Sequence, residues 1–357
     1  MNLCFLSNIN SIHTQRWAKH FVAQGHNVSV ISFQSGEIEG IDAICLTRLE
    51  RVPSTLILSL LPKIRSLCNY IQPDILHAHY ATSYGLSGAL CNYHPFVVTA
   101  WGDDILVDPE RSLAYRLLVR LVMSRADMVT SMAGHMTELI VKRGYAERER
   151  ILTLPFGVDT DLFNPTCRRS KSSGNGITVI STRHLEAVYD VETLIRAVPA
   201  ILAKLPDTRF RIVGTGALRP ALERLAVTLN IHHAVDFLGA VDHNRLVEIL
   251  AEADIFVTTS KSDGNNISLN EAMACGALPV ASDIPANREW LTEGLNGLFF
   301  PVGDAARLAS QVISAALRPE WRRHAAEENW RIIQERGSWK RNMHRMEKAY
   351  KQMLGMI

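Results

Sequence analysis

Residues 260–290 read SKSDGNNISLNEAMACGALPVASDIPANREW, and this stretch decides the fold. An apolar run, Asp254-Ile-Phe-Val-Thr-Thr259, leads into it and reads as a buried strand. A polar loop from Lys261 to Ile267 follows, then a short helix that stops at Gly276, then a second strand from Leu278 to Ser282. A strand, a tight polar loop and a helix start, in that order, make an anion site. The unpaired N–H groups of the first turn point outward, and the helix dipole favours negative charge there. Gly264 lets a ligand approach the backbone with no Cβ in the way. Glu271 is a poor neighbour for a phosphate, so its better partner is a neutral group with donors, such as a ribose diol. The pattern therefore suits a nucleoside diphosphate held by Gly264, Asn265, Asn266, Ile267, Ser268 and Glu271. A plainer reading fits the same letters. Ser268 as N-cap with Glu271 three residues on is a capping box, and Gly276 is an ordinary helix stop.

Outward from this stretch, strand and helix patterns alternate along the chain. Strands are expected at 2–7, 26–33, 74–79, 96–100, 127–131 and 151–155, with helices at 14–24, 56–72, 113–124 and 134–143 between them. After a break the alternation restarts. Strands are expected at 177–181, 208–213 and 235–238, with helices at 191–204, 218–229 and 244–251. Such alternation implies a parallel, doubly wound α/β sheet, here twice over. The break, residues 164–176 (NPTCRRSKSSGNG), has no apolar periodicity and reads as an interdomain linker.

A length of 357 residues suits two domains, and 47% hydrophobic with 21% charged residues describes a globular chain able to bury a large core. A net charge of +2 speaks against a dedicated nucleic-acid binder. Six scattered cysteines with no CxxC spacing fit reduced thiols in a cytoplasmic protein better than disulfides or zinc. The N-terminus lacks the basic start of a signal peptide, and the most apolar window, 56–61, is far too short to span a bilayer. From Arg318 onward ten Lys/Arg face five Glu, with Trp321, Trp330 and Trp339 among them. Two readings stand for this segment: peripheral contact with a membrane surface, or a terminal helix packed back on the first domain.

The pair Asp263 and Glu271, seven residues between them, followed by EAMACGALPVASD, resembles the acidic-pair signature of glycosyltransferase family 4. Relatives carry Glu at both positions; here the first is Asp. The segment 154–165 (LPFGVDTDLFNP) resembles the family's run before the linker, so the resemblance covers nearly the whole chain. It implies a GT-B architecture, two Rossmann-like doubly wound domains facing a central cleft. The first would be an acceptor domain at 1–165 and the second a donor domain at 166–339, with a terminal helix at about 340–357 returning to the first. The activity implied is a retaining, nucleotide-sugar-dependent hexosyl or N-acetylhexosaminyl transfer. The expected donor is a UDP-sugar and the expected acceptor a saccharide or lipid-linked saccharide, in polysaccharide or glycoconjugate synthesis at the inner face of the plasma membrane.

The resemblance also distributes roles. Gly214 and Gly216, in Val213-Gly-Thr-Gly216, resemble the glycine turn beside the diphosphate, though a plain strand-to-helix turn gives the same letters. Val241 lies in the strand-and-turn that would hold the nucleobase. Arg183 would neutralise the departing diphosphate. The companion lysine that the family often has is absent: Tyr189 stands there, and Lys261 is either a substitute or a solvated loop lysine. Asp263 would hold sugar hydroxyls. In the first domain Trp101 stands where relatives often have His, beside the transferred sugar, and His79, Asn10 and His13 are acceptor-side candidates. Asp103 and Asp104 suit helix capping, and no metal and no cofactor beyond the co-substrate is expected. Two other readings remain, a sugar-nucleotide epimerase and a catalytically silent subunit of a transferase complex.

Overall fold

The structure, a computed structural model, describes residues 1–47, 54–168 and 176–357. Among these the strands form two parallel sheets, one in each of two compact units. The first unit comprises Met1–Phe156 and Met343–Ile357, the second Gly157–Asn342.

In the first unit the strands are β1 (Asn2–Leu6), β2 (Asn27–Ser32), β3 (Asp42–Cys45), β4 (Ile75–His79), β5 (Phe96–Ala100), β6 (Met128–Ser131) and β7 (Ile151–Thr153). They lie in the order β3-β2-β1-β4-β5-β6-β7. Every residue of β4 and β5 is buried, as a sheet covered by helices on both faces requires. The sequence patterns placed six of these strands. The edge strand β3 was not expected, because DAIC is too short and too polar-flanked to show alternation. The helix Tyr84–Cys91 was likewise not expected; its faces are almost wholly buried, so it shows no amphipathic period.

In the second unit β8 (Thr178–Ser181), β9 (Arg209–Val213), β10 (Val235–Gly239), β11 (Ile255–Thr258), β12 (Leu278–Ser282) and β13 (Leu298–Phe300) order as β10-β9-β8-β11-β12-β13. Alternate residues of one strand serve two separate cores. Val179, Ile255 and Val257 join Leu194, Ile195, Val198 and Leu308 on one face. Ile180 and Phe256 join Leu269, Met273 and Trp290 on the other. Burying both faces makes the sheet doubly wound. β13 and the helix Ala305–Ala316 extend the pattern beyond what the sequence reading placed.

Each sheet reverses its strand order once, between β1 and β4 and between β8 and β11. In open parallel sheets the crevice at the carboxyl ends of such a strand pair is where ligands bind. The first unit gives way to the second at Gly157, earlier than the expected linker. Asn164 caps a short turn, Pro165–Cys167, and Arg168 donates to the Gly276 carbonyl, so this part of the expected linker is packed into the second unit. The remainder, 169–175, lies outside the described residues.

The terminal helix Trp339–Met353 buries Met343, Met346 and Tyr350 in the first unit. Tyr350 meets His77 at 2.5 Å, and Glu347 meets His26 at 3.1 Å. Of the three tryptophans on which the membrane reading drew, Trp339 is buried and Trp321 and Trp330 are half-buried against the second unit's cores. No helix among the described residues is long and apolar enough to cross a membrane.

Candidate functional site

The second unit's switch point gathers the charged candidates. Just past the end of β8, Arg183 is buried, 8% exposed. Beyond β11 the loop carrying Asp263 turns into the helix Ile267–Ala274. Arg183 Nη2 donates to Asp263 Oδ2 at 2.5 Å, and Nη1 donates to Asn266 Oδ1 at 2.8 Å. The guanidinium carbon lies 4.3 Å from the centre of the Tyr189 ring. Arg183 is therefore held on three sides, and its Nε has no partner among the described residues.

The helix start differs from the capping-box reading. Asn266, not Ser268, is the N-cap, and its side chain accepts from Leu269 N at 3.1 Å. Asn266 also donates to Thr258 Oγ1 and Asn287 Oδ1, which with Arg183 and Leu269 uses all four of its amide hydrogen bonds. Asn266 is wholly buried, so its side-chain amide is spent within the fold; that side chain caps the helix and aims Arg183. Ser268 is thereby released from capping. Ser268 Oγ donates to the Thr182 carbonyl at 3.0 Å.

Ser268 and Glu271 line a cavity of about 250 Å³ together with Arg183, Gly214 and Val241. Thr182, His184, Tyr189, Thr215 and Leu246 complete much of its wall. Of these only Tyr189 drew attention in the sequence, because the others carry no motif of their own. Gly264, Asn265, Ile267 and Asp263 lie in the loop and helix start beside the cavity rather than on its wall, and Asp263 Oδ1 accepts from Asn265 N. Lys261 points elsewhere: it is exposed and pairs with Asp190 at 3.3 Å.

The glycine turn has a packing reason as well as a ligand one. Gly214 has φ +133°, and a Cβ there would lie 2.3 Å from the Arg183 carbonyl. A Cβ on Gly216 would lie 2.4 Å from the Leu185 carbonyl. The turn after β9 thus lies directly against the turn after β8, with Leu185 N donating to Thr215 O at 2.9 Å. A larger cavity of about 820 Å³ in the same unit is lined by Asn164, Arg168, Gly276, Arg323 and Trp330. It holds none of the candidate residues.

The first unit's switch point is built differently. His79, the last residue of β4, is buried, with Nδ1 3.0 Å from Ser7 Oγ at the end of β1. His13 stacks on Phe156 at 3.9 Å and meets Trp101 edge-on at 5.5 Å, and Trp101 lies 5.4 Å from the His79 ring. His79 Nε2, His13 Nδ1 and Trp101 Nε1 are buried without partners among the described residues. Three of the four sugar- and acceptor-side candidates, Trp101, His79 and His13, thus converge, and the sequence reading missed Ser7 and Phe156 beside them. Asn10 stands apart, exposed, its amide donating to the Ser35 carbonyl.

Burial holds these histidines neutral. The His13 pKa is lowered to about 4 by desolvation and then by Arg16, and that of His79 to about 3 by desolvation and then by His13. His77, on the same strand, is occupied structurally between Tyr350 and Thr99 Oγ1, both at 2.5 Å. Asp104 is spent on the backbone, accepting from Ala81 N, Trp101 N and Gly102 N. It braces the loop that carries Trp101 and the turn after β4, where Tyr80 takes a φ of +76°. Burial, opposed by those hydrogen bonds, raises its pKa to about 6. Among the described residues no group of three or more His, Cys, Asp or Glu is placed to hold a metal ion.

Comparison with known proteins places both units. Residues 2–133 match the family described as "Glycosyl transferase 4-like", and residues 166–331 match "Glycosyl transferases group 1". The chain is 27% identical over 288 residues to a GDP-mannose-dependent monoacylated alpha-(1-6)-phosphatidylinositol monomannoside mannosyltransferase of Corynebacterium glutamicum, covering 74% of this chain and 72% of that one. It is 24% identical over 315 residues to a named subunit of the human phosphatidylinositol N-acetylglucosaminyltransferase, covering 82% of this chain and 64% of that protein's length. The solved structure of Anabaena HepE in complex with UDP and glucose superposes with a TM-score of 0.81 at 19% identity, over 99% of this chain and 100% of that one. At that identity the likeness speaks for the fold, which is GT-B.

Proposed function

The chain belongs to glycosyltransferase family 4 and is a nucleotide-sugar-dependent glycosyltransferase, and we propose that its second unit holds the donor's nucleoside diphosphate at the β8–β11 switch point. The observation that carries this reading is the convergence of Arg183, Gly214, Val241, Ser268 and Glu271 on one cavity. Glu271 would accept from the ribose diol, and the glycine turn and helix start would receive phosphate oxygens on backbone N–H groups. Arg183 would offset the charge that builds on the diphosphate as the glycosidic bond breaks. Asp263 would position Arg183 and meet the sugar's hydroxyls.

The reaction proposed is retaining, with an acceptor hydroxyl replacing the diphosphate on the same face of the sugar. The acceptor proton passes to a leaving-group oxygen, so no side chain is assigned as base. The neutral, aromatic cluster of His13, His79 and Trp101 is the proposed acceptor-side surface, with Trp101 offering a ring face to a sugar. A hexosyl or N-acetylhexosaminyl unit would pass from a UDP-sugar to a saccharide or lipid-linked saccharide. HepE was solved with UDP, which supports uracil as the base, whereas the corynebacterial relative is named for GDP-mannose.

Calorimetric titration with UDP, GDP and ADP tests the donor site and names the base. UDP binding that collapses in Glu271→Gln is the expected result. Failure of every nucleotide to bind the folded protein would refute the reading. The human relative is named as one subunit of its enzyme, which favours one alternative, a silent partner of an active transferase. Sugar transfer by this chain alone would dispose of that alternative.

A further inference from the structure

We infer that His184 is a proton-gated contact for the donor's diphosphate, taking up a proton on Nε2 as the nucleotide binds. The inference rests on the donor reading of the β8–β11 cavity and goes beyond it by adding a residue and a pH dependence. His184 follows Arg183 in the turn after β8 and lines the same cavity. Its Nδ1 lies 3.4 Å from the carbonyl oxygen of Thr215, the middle residue of the glycine turn. That turn also approaches the histidine's backbone: a Cβ on Gly214 would lie 3.6 Å from the His184 Cα. His184 therefore stands beside the backbone N–H groups proposed to receive phosphate oxygens.

Charge balance gives this residue its role. Among the described residues, Arg183 and His184 are the basic side chains on the cavity wall. Arg183 is already matched by Asp263, and Glu271 brings a second carboxylate to the site. Lys261 is paired with Asp190. One guanidinium against two carboxylates is a poor counter-charge for a diphosphate, and a protonated His184 would redress it with a charge-assisted hydrogen bond. A carbonyl oxygen can only accept, so the Thr215 contact puts the proton of neutral His184 on Nδ1. Nε2 is then a bare lone pair, and it makes no hydrogen bond among the described residues. A lone pair repels a phosphate oxygen, whereas a proton there turns the same nitrogen into a charged donor. Histidine is the side chain that makes this change near neutral pH, so phosphate binding and proton uptake are linked. Above that range the cavity falls back on Arg183 alone.

Calorimetric titration of the full chain with UDP tests this, run at about pH 6.5 and about pH 8.5 in buffers of different ionisation enthalpy. Wild type should take up a proton on binding at the lower pH. Its affinity should fall about tenfold at the higher pH, the low end for losing one hydrogen bond to a charged group. The charged and titratable groups around His184 are Arg183 and Glu186 on its own turn, Tyr189, whose ring lies 6.2 Å away, and Glu271 on the cavity wall. His184→Gln leaves all four in place, so its difference from wild type separates His184 from the titration of the nucleotide's own phosphates. That variant should bind UDP about tenfold more weakly than wild type at the lower pH and equally at the higher. His184→Lys, with a charge that persists across this range, should bind tightly at both and take up no such proton. His184 is exposed, so thermal melts of both variants should match wild type. Equal affinity and equal proton uptake in wild type and His184→Gln would overturn the inference and leave the donor site standing, as would a His184→Lys that binds no better than His184→Gln. Failure of UDP, GDP and ADP alike to bind would overturn the donor reading and this inference with it.

Discussion

Arg183→Gln separates what this guanidinium does for the fold from what it does for the reaction. Arg183 Nη2 lies 2.5 Å from Asp263 Oδ2, and unit charges about 4 Å apart attract by about 4 kcal/mol at an effective dielectric of about 20. Desolvating two buried ions offsets most of that, so the pair is nearly neutral for stability as it stands. Removing only the cation leaves the Asp263 carboxylate, 11% exposed, with the Asn265 N–H still donating to it. The loss expected is about 3 kcal/mol, the low end for breaking a buried pair, because Gln can still donate to Asn266. Urea unfolding of the second unit measures it. The catalytic loss is different in kind, since a neutral amide cannot offset charge developing on the leaving diphosphate. By analogy with removal of one fixed electrostatic donor, kcat should fall about 10²–10³-fold while the donor KM changes little. Asp263→Asn supplies the control, keeping the cation but loosening its aim. If Arg183→Gln folds and keeps kcat within about tenfold of wild type, the leaving-group role is refuted. If kcat is unchanged and only the donor KM rises, Arg183 binds the ground state instead.

Gly216→Ala should destabilise the second unit by about 1–3 kcal/mol and weaken nucleotide binding, because its Cβ would strike the fixed Leu185 carbonyl; unaltered binding by calorimetry would leave the turn no role in the site. Tyr350→Phe should cost about 1–3 kcal/mol in urea unfolding of the first unit by stranding the buried His77 Nδ1, and an unchanged midpoint would contradict that hydrogen bond. The first unit should also lose stability on mild acidification. The folded pKa values of His13 (about 4) and His79 (about 3) lie below the unfolded value of about 6.5, so the unfolded chain binds more protons between them. The stabilising difference is complete above about pH 6.5 and shrinks as pH falls toward about 4, by up to about 1.4 kcal/mol per pH unit for each histidine. A urea midpoint that stays flat across that window, or that is equally steep in His13→Phe, would refute the assignment.

The alternation of strands and helices was legible because buried parallel strands are short apolar runs and the helices between them are amphipathic. What escaped were elements lacking those signatures, β3 and the buried helix Tyr84–Cys91. Of the residues that line the cavity, Arg183 and Gly214 drew attention from their places after strands, and Glu271 from the acidic pair that resembles the family's signature. The use of Asn266 was not legible. The sequence pattern pointed to Ser268 as the cap, and only the register of the helix start decides that Asn266 caps while Ser268 turns to Thr182. The same holds for Phe156, far from His13 in sequence and stacked on it in space.

The two switch points share a strand order and differ in chemistry, and that difference is the strongest argument for dividing the labour between them. At β8–β11 the fold gathers a guanidinium, two carboxylates and two glycines that cannot bear a side chain. Those groups suit phosphates and a diol. At β1–β4 it gathers two histidines kept neutral by burial, an indole and a phenyl ring. Phosphate would find no fixed cation among those four side chains, whereas a sugar ring would find flat apolar faces edged with unpartnered nitrogen atoms. Tyr189 sharpens the contrast. Where the family resemblance implies a lysine, this chain stacks a phenol ring on Arg183, leaving the proposed donor cavity with one buried guanidinium. The consequence is a heavier dependence on Arg183 than a two-cation site would show, and the kcat of Arg183→Gln measures that dependence directly.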